Sequence, residues 1–333
     1  MSKINVGICG LGRSGLGIHV KAIQEHVSDL YRMVAVADVN REHADAKANE
    51  FGCRAWDSPE KLFGDPEVEM VVVATLSNDH ARHAIEAMEA GKDVLVEKPM
   101  ATCYGDARRM IEASKRTGRR LTVFHNRRYD ADFEVIRRLR DAGELGEPFS
   151  ISSFIHNYSF RDDWQLQSRF GGGLLNNWGP HTVDQVLVLA GQRPVSVYAN
   201  LQQRVNQGDV EDHFKVVITF ENGLIGQTEV SAAALAGLPR WQVLADRTAI
   251  LASDDKKIVL YRYQDGQTVT EEHAPQGGFG EQSGRFYREM HHRAQSGQPT
   301  LVDPESAADV VRVIEAAKLS SREKMSINLN DVA

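Results

Sequence analysis

The chain is poor in cysteine and lacks any long hydrophobic run. Its cysteines, Cys9, Cys53 and Cys103, show no paired metal-ligand spacing. We therefore expect neither a disulfide framework nor a metal site, and a reducing cytoplasm fits best. No run of about 18 apolar residues occurs, and the sequence begins without a signal-peptide pattern. These absences predict a cytoplasmic protein with no membrane-spanning segment.

Charge of one sign is not concentrated anywhere in the chain. The net charge is −7, and the lysines and arginines are scattered, which argues against nucleic acid or a membrane surface as a partner. With 42% hydrophobic and 26% charged residues among 333, the composition is typical of a globular protein. The length is sufficient for two domains.

A glycine-rich turn follows the first apolar segment, residues 4–9, which predicts a strand. Gly10, Gly12 and Gly15 have the spacing GxGxxG, and a helix-compatible stretch comes next. Gly10 permits a tight turn, Gly12 lets a pyrophosphate approach the backbone, and Gly15 lets the helix pack closely. The turn therefore predicts a dinucleotide site, with a purely structural glycine turn as the alternative.

Asp38 ends the second predicted strand, residues 33–37, about twenty residues after the glycine turn. A carboxylate at this place accepts hydrogen bonds from ribose hydroxyls and repels a 2′-phosphate, which favours NAD over NADP. Arg41 keeps NADP open, because an arginine can hold a 2′-phosphate. The alternative role for Asp38 is to cap the next helix.

Polar residues also follow the later predicted strands of the first half, residues 70–74, 93–96 and 121–124. The alternation of strands and helices predicts a doubly wound parallel sheet with these residues along its carboxyl edge. His80 either contacts the cofactor or caps a helix. The predicted cofactor-binding residues are Gly10, Gly12, Arg13, Ser14, Gly15, Asp38, Arg41, Thr75, Asn78, His80, Glu97, Lys98 and Asn126.

Lys98 follows one of these strands directly and precedes Pro99. Ligands bind at the carboxyl edge of an open α/β sheet, and a partly desolvated lysine can be tuned for chemistry. The alternative is an ordinary surface lysine at a strand end.

These motifs resemble those of the Gfo/Idh/MocA oxidoreductases, a family named for glucose–fructose oxidoreductase and inositol dehydrogenase. The matching residues are Gly10-x-Gly12-x-x-Gly15, Asp38, the run 71–80, Glu97-Lys98-Pro99, Asn126-Arg127-Arg128-Tyr129, and the run 171–181 followed by Asp184. The loop 126–129 and the run 178–181 are similar to those of the scyllo-inositol dehydrogenase-like branch.

The resemblance implies an N-terminal NAD(P)-binding Rossmann domain, residues 1–126. It also implies a C-terminal α/β domain, residues 127–333, with a large, mostly antiparallel open sheet for substrate binding and oligomerisation. Lys98 and His181 match the catalytic lysine and histidine of the family. Many members carry an aspartate four residues before that histidine, but here the residue is Asn177, with Asn176 and Asp184 as candidates to compensate.

The second half agrees with such a sheet. Residues 149–158, 195–205, 213–220, 224–231, 241–245, 249–252 and 258–263 have strand character with turn signals between them. One broad face of the sheet would be free to pair with another subunit, so we expect a homodimer or homotetramer. Pro180 fits the first turn of a helix. We therefore expect His181 at a helix N-terminus, where the dipole disfavours its protonation.

The polar and aromatic loop 159–170 has the makeup of a substrate-facing loop, or else of an ordinary surface loop. The predicted substrate-binding residues are Lys98, Arg127, Tyr129, His156, Arg161, Trp164, Asn177 and His181.

The predicted function is NAD(P)-dependent hydride transfer at a secondary alcohol of a sugar or cyclitol. Lys98, His181 and Asn177 are the predicted catalytic residues: His181 acts as general base and Lys98 stabilises the developing alkoxide. Two alternatives remain open. One is a redox-neutral NAD-dependent glycosidase, and the other is a non-catalytic regulator that binds sugar or NAD.

Overall fold

The structure, a computed structural model, describes residues 3–253, 257–277 and 280–332. The chain forms two compact units. The first consists of Met1–Asn126 with Gly280–Asp309, and the second consists of Arg127–Phe279 with Val310–Ala333. The boundary after Asn126 coincides with the one expected from the sequence. Residues 280–309 return to the first unit, however, whereas the sequence interpretation assigned them to the second domain.

The first unit contains a parallel sheet. Its strands are β1 (Ile4–Cys9), β2 (Tyr31–Ala37), β3 (Arg54–Trp56), β4 (Met70–Val73), β5 (Asp93–Val96) and β6 (Leu121–Val123). Their order is β3-β2-β1-β4-β5-β6, so the strand order reverses between β1 and β4. Because ligands bind at such a switch point, beyond the carboxyl ends of the strands, this order fixes where the site of the first unit lies.

The second unit contains a larger, mostly antiparallel sheet. Its strands are β7 (Pro148–His156), β8 (Pro194–Gln202), β9 (His213–Phe220), β10 (Ile225–Ser231), β11 (Trp241–Ala245), β12 (Thr248–Ala252), β13 (Ile258–Gln264), β14 (Gln267–His273) and β15 (Ile327–Asn328). The order is β14-β13-β12-β11-β7-β10-β9-β8-β15, and among the described strands of this second sheet only the central pair β7 and β10 is parallel. The predicted fold class is thereby confirmed.

Helices flank both sheets. They are α1 (Lys21–Glu25), α2 (Arg41–Phe51), α3 (Pro59–Phe63), α4 (His80–Glu89), α5 (Tyr104–Thr117), α6 (Ala131–Asp141), α7 (Leu174–Ala190), α8 (Gln282–Gln295) and α9 (Pro304–Glu323). A π-helical segment, Gly15–Val20, leads into α1. Helix α8 belongs to the first unit, and α9 passes from the first unit into the second.

Helix α7 covers one face of the second sheet. At Gly226 of β10, an added Cβ would lie 2.7 Å from Cγ1 of Val186 in α7, so the helix and the strand are in direct contact. Burial alternates along β9, where Phe214, Val216 and Ile218 are fully buried. This alternation is typical of a sheet with one covered face and one more open face.

None of the helices in residues 3–253, 257–277 and 280–332 is long and apolar enough to cross a membrane. The same residues contain no group of three or more His, Cys, Asp or Glu that could hold a metal ion.

Candidate active site

The glycine turn after β1 has the geometry that its sequence predicts. Gly10 has a φ of +96°, and an added Cβ would lie 2.5 Å from the carbonyl oxygen of Ala74 beyond β4. A Cβ on Gly15 would collide with the carbonyl oxygen of Gly10. Both positions therefore need glycine, Gly10 for its conformation and Gly15 for close packing.

Asp38 follows β2 and holds this turn. Its Oδ2 accepts the N–H of Leu11 at 2.8 Å, and its Oδ1 accepts the N–H of Asn40 at 2.9 Å. The N-cap of α2 is Asn40, whose side chain accepts the N–H of His43. The alternative role for Asp38 as the cap of this helix is therefore wrong, and Asp38 instead links β2 to the glycine turn.

The turn fits a dinucleotide. A Cβ on Gly12 would meet no protein atom within 4 Å, so this backbone faces open space, as the approach of a pyrophosphate requires. Arg13 is exposed and Ser14 is half-buried at the start of the following helical segment. Arg41 is exposed and bonded to Asp45 at 2.7 Å, with Asp57 at 3.7 Å.

The segment after β4 is connected to the segment after β5 through His80. His80 is 2% exposed, and its Nδ1 lies 2.7 Å from the carbonyl oxygen of Pro99. Its Nε2 lies 3.2 Å from the carbonyl oxygen of Thr75. Burial lowers the pKa of His80 despite these carbonyl contacts. His80 is the first residue of α4 and Asp79 is its N-cap, so His80 braces the backbone and does not cap the helix.

Two further predicted residues lie along the same edge. The Thr75 hydroxyl contacts Nδ1 of His83 at 3.1 Å, and Asn78 is exposed in the turn Ser77–Asp79. Asn126 follows β6 and ends the first stretch of the first unit.

Glu97 and Lys98 lie at the carboxyl end of β5, next to the switch point. Lys98 is half-buried and the Lys98–Pro99 peptide is cis. Glu97 is 4% exposed; its Oε1 lies 3.2 Å from Nε2 of His19, and its Oε2 accepts the N–H of Lys98 at 3.0 Å. Burial alone would raise the pKa of Glu97, but the His19 hydrogen bond and the nearby cationic groups lower it. Glu97 is thus a buried carboxylate, engaged by protein groups.

In the second unit, α7 carries both Asn177 and His181. The helix begins at Leu174, after Gly173 with a φ of +107°, so Pro180 lies inside the helix and His181 is its eighth residue. The expectation that His181 sits at a helix N-terminus is wrong. The helix dipole therefore gives no reason to expect that His181 resists protonation. Asn177 instead occupies the first turn, one turn before His181 on the same side of the helix.

Trp178 contacts two of the predicted residues. Its ring centroid lies 4.5 Å from the guanidinium carbon of Arg127 and 6.1 Å from the His181 ring centroid. Arg127 also donates to Asp130 at 3.2 Å. Trp178 was not among the predicted site residues, although its position three residues before His181 places both on one side of a helix.

Arg161 and Asn177 line a cavity of about 20 Å³ in the second unit, together with Glu211. Glu211 Oε1 accepts the N–H of Leu175 at 2.8 Å, which caps the start of α7. Burial raises the pKa of Glu211. The cavity has room for about one water molecule, so it is too small to receive a sugar ring.

His156 lies apart from these residues. Its Nε2 is 3.4 Å from Glu229 on β10, whereas Gly226 of the same strand contacts α7. Since successive residues of a strand point to opposite faces, Glu229 and His156 lie on the face that α7 does not cover. Trp164 is half-buried in the turn Trp164–Leu166, and Tyr129 is half-buried in the turn Asn126–Tyr129.

The two residues considered as substitutes for a carboxylate at position 177 have other partners. Asn176 donates to the carbonyl oxygens of Gly171 and Gly172 at 3.1 and 2.9 Å. Asp184 is 2% exposed and forms a two-pronged ion pair with Arg128 at 2.6 and 2.9 Å. Both side chains therefore stabilise the second unit locally.

Two family models match the chain. The model described as an oxidoreductase family with an NAD-binding Rossmann fold, GFO_IDH_MocA, matches residues 4–125. The model of the GFO/IDH/MocA C-terminal domain matches residues 133–251. The first unit thus carries an NAD-binding Rossmann domain.

Individual relatives point the same way. The chain is 27% identical to scyllo-inositol 2-dehydrogenase (NADP(+)) IolW of Bacillus subtilis over 99% of this chain and 97% of the relative. It is 26% identical to myo-inositol 2-dehydrogenase of Thermotoga maritima over 99% of both chains. With the uncharacterized oxidoreductase YdgJ of Escherichia coli it shares 31% identity over 66% of this chain, which spans 62% of that relative.

A solved structure agrees along nearly the whole chain. An NAD-binding protein from Listeria innocua matches with a TM-score of 0.87 and 29% identity, covering 98% of this chain and 97% of that one.

Proposed function

The chain belongs to the Gfo/Idh/MocA oxidoreductase family, and from this premise we propose that it transfers a hydride between NAD(P) and a secondary alcohol of a sugar or cyclitol. The observation that carries the proposal is the position of Lys98. It lies at the carboxyl end of β5, on the sheet edge that also carries the glycine turn and Asp38. Bound NAD(P) would supply the hydride acceptor.

In this proposal, Lys98 donates a hydrogen bond to the oxygen of the reacting hydroxyl. A cation at this oxygen stabilises the negative charge that develops as the hydride leaves. The buried carboxylate of Glu97 fixes the backbone N–H of Lys98, so little reorganisation is needed when the reaction occurs.

His181 is the residue that we propose as general base for the hydroxyl proton. Its ring packs edge-on against Trp178, which limits the orientation of the imidazole. Asn177 can donate and accept hydrogen bonds but brings no charge. The proton transfer therefore rests on His181.

A polyhydroxylated ring is the substrate class that we propose. The two full-length relatives described above are named as inositol dehydrogenases, and inositols carry the secondary alcohols that this chemistry requires. Arg127, Tyr129, Arg161 and Trp164 are the residues that we propose for substrate binding. His156 is left out, because it faces the side of the sheet that α7 does not cover.

We also propose a homodimer or homotetramer formed through the open face of the second sheet. This face carries exposed apolar side chains, among them Tyr198 on β8, which is 48% exposed. Light scattering would give the oligomeric state, and a monomer at micromolar concentration would contradict this part of the proposal.

The test of function is a panel of inositols, aldoses and glycosides screened with NAD and NADP. We expect formation of NADH or NADPH with at least one cyclitol or aldose. Release of an aglycone without net reduction would support a redox-neutral glycosidase instead, and no turnover of any compound would support a regulator.

Lys98→Met tests the assigned role directly. We expect kcat to fall by about 100-fold or more, because a charged donor to the developing oxyanion is lost, with NAD binding changed less than about twofold. The matched control is Lys115→Met, at an exposed lysine paired with Glu305, which should leave kcat unchanged. Equal turnover of Lys98→Met and wild type would rule out this role.

A further inference from the structure

A buried chain of hydrogen bonds lies behind Lys98 in the first unit. His19 is fully buried; its Nδ1 lies 2.8 Å from Oη of Tyr287, and its Nε2 lies 3.2 Å from Oε1 of Glu97. The other carboxylate oxygen of Glu97 accepts the N–H of Lys98 at 3.0 Å. The chain thus runs from α8 through the segment after the glycine turn to the end of β5.

The direction of each hydrogen bond follows from the charge states. Burial would raise the pKa of Glu97, but its hydrogen bond with His19 and the charge of nearby Lys98 lower it, so the carboxylate only accepts. His19 must then donate through Nε2, and in the neutral imidazole its Nδ1 accepts from Tyr287. Burial raises the pKa of Tyr287 well above its ordinary value, which keeps its hydroxyl proton available as a donor.

Aromatic rings enclose these buried hydrogen bonds. The His19 ring lies 4.6 Å from the Phe124 ring, which lies 4.8 Å from the Phe286 ring. Tyr31 donates from its hydroxyl to the backbone carbonyl of Tyr287 at 3.0 Å. Because the interior is close-packed, His19 and Tyr287 have little room for another orientation.

We propose that Tyr287 and His19 are positioning residues that act through Glu97 to hold the backbone of Lys98. His80 completes the support from the other side, since it contacts the carbonyl oxygen of Pro99. The inference rests on the proposed function only for the role of Lys98. It assigns a part in the site to the returning segment 280–309, which the sequence interpretation placed in the other domain.

Tyr287→Phe is the test, because it removes one hydroxyl and keeps the ring. It leaves Nδ1 of His19 without its donor, so the hold on Glu97 and Lys98 loosens. We expect kcat to fall by about tenfold, since small misplacements of a reacting group are costly, while the Kd for NAD changes less than about twofold. The amide of Lys98 should exchange its hydrogen faster.

Ser320→Ala is the matched control. It also removes a fully buried hydroxyl, but one that donates to the backbone carbonyl of Met325 in the second unit and makes no contact with these hydrogen-bonded residues. Its kcat and the exchange rate of the Lys98 amide should equal those of wild type, while both variants lose similar thermal stability. Equal behaviour of the two variants in kcat and in amide exchange would overturn the inference.

His19→Gln and His19→Leu give a second comparison. Glutamine can donate to Glu97 and leucine cannot, so His19→Gln should exchange the Lys98 amide more slowly than His19→Leu. The exchange measurement needs no turnover. If wild-type protein oxidises no substrate, the proposed function fails. The exchange rates still decide whether the hydrogen bonds through Tyr287, His19 and Glu97 hold the backbone of Lys98.

Discussion

At the scale of single residues, Asn177 stands where the family resemblance leads us to expect an aspartate. Asn177 and His181 are one turn apart on α7, so a carboxylate at position 177 would lie within reach of the imidazole. The neutral amide removes that charge, while Asn176 donates to a backbone carbonyl and Asp184 accepts from Arg128. In the proposed mechanism the proton transfer therefore rests on His181 with an amide, and not a carboxylate, at position 177.

Asn177→Asp should change the pH dependence of the reaction. A carboxylate stabilises a protonated imidazole, so we expect the acidic limb of the kcat profile to move up by about one pH unit. Asn200→Asp, which adds the same charge at an exposed position of β8, is the control and should leave the limb in place. Overlapping profiles for wild type and Asn177→Asp would mean that His181 is not the base.

Glu211 gives a prediction about stability. Burial raises its pKa, so the folded state binds the proton more tightly than the unfolded state does. The stabilisation is complete below the unfolded-state pKa and is lost as the pH rises through the folded-state value. Glu211→Gln imitates the protonated side chain.

The free energy of unfolding of this variant should therefore exceed that of wild type increasingly as the pH rises. Glu221→Gln is the control for the sign of this trend, because contact with Arg193 lowers, and does not raise, the pKa of that exposed carboxyl. Urea titrations across the pH range would show the trend. A constant difference between Glu211→Gln and wild type would contradict it.

At the scale of elements, two glycines of the glycine turn affect different properties: Gly15 affects the stability of the fold and Gly12 affects NAD binding. A Cβ on Gly12 meets nothing, whereas a Cβ on Gly15 collides with the backbone of Gly10. Gly12→Ala should keep wild-type stability and weaken NAD binding by about tenfold, since about 1.4 kcal/mol of steric cost suffices.

Gly15→Ala should instead lower stability by about 1–3 kcal/mol, as expected for overpacking. Gly17→Ala, where a Cβ meets no atom within 4 Å, is the control for both measurements. Calorimetry of unfolding together with NAD titration separates the two effects. Wild-type NAD affinity in Gly12→Ala would mean that the pyrophosphate does not approach this backbone.

Much of the architecture could be predicted from sequence patterns of period two. Strands β9 and β11 begin and end where the alternation of apolar and polar residues indicates. Strand β14 was missed, because its sequence QTVTEEH is almost wholly exposed at the edge of the sheet and carries no hydrophobic signal. The start of α7 was missed because Pro180 indicated a first turn, whereas the helix begins six residues earlier.

The candidate site was predictable only where short motifs carry it. The glycine turn, Asp38 and Lys98 are recognisable because each lies just after a strand. His19 and Tyr287 are not, because their hydrogen bond joins positions 268 residues apart, and no local pattern records such a contact.

At the scale of the whole molecule, the first unit is assembled from two distant stretches of chain. Tyr31 and Phe124 in the first stretch pack against Tyr287 and Phe286 in the second, at ring distances of 5.2 and 4.8 Å. Residues 1–126 alone should therefore fold poorly, because these aromatic faces and the His19 imidazole lose their partners.

A fusion of residues 1–126 with 280–309 through a flexible linker should recover a cooperative unfolding transition and NAD binding. Denaturant titration of both fragments would compare them. A fragment 1–126 that unfolds with the stability of the fusion would show that the returning segment contributes little.

The return of residues 280–309 also sets the order of events during biosynthesis. At the usual rate of about 5–20 residues per second, Tyr287 emerges about 10–30 seconds after Asn126. Through this interval the nascent first domain lacks the hydroxyl that orients His19. The coenzyme-binding half begins synthesis first, yet it is completed only when most of the second half has already left the ribosome.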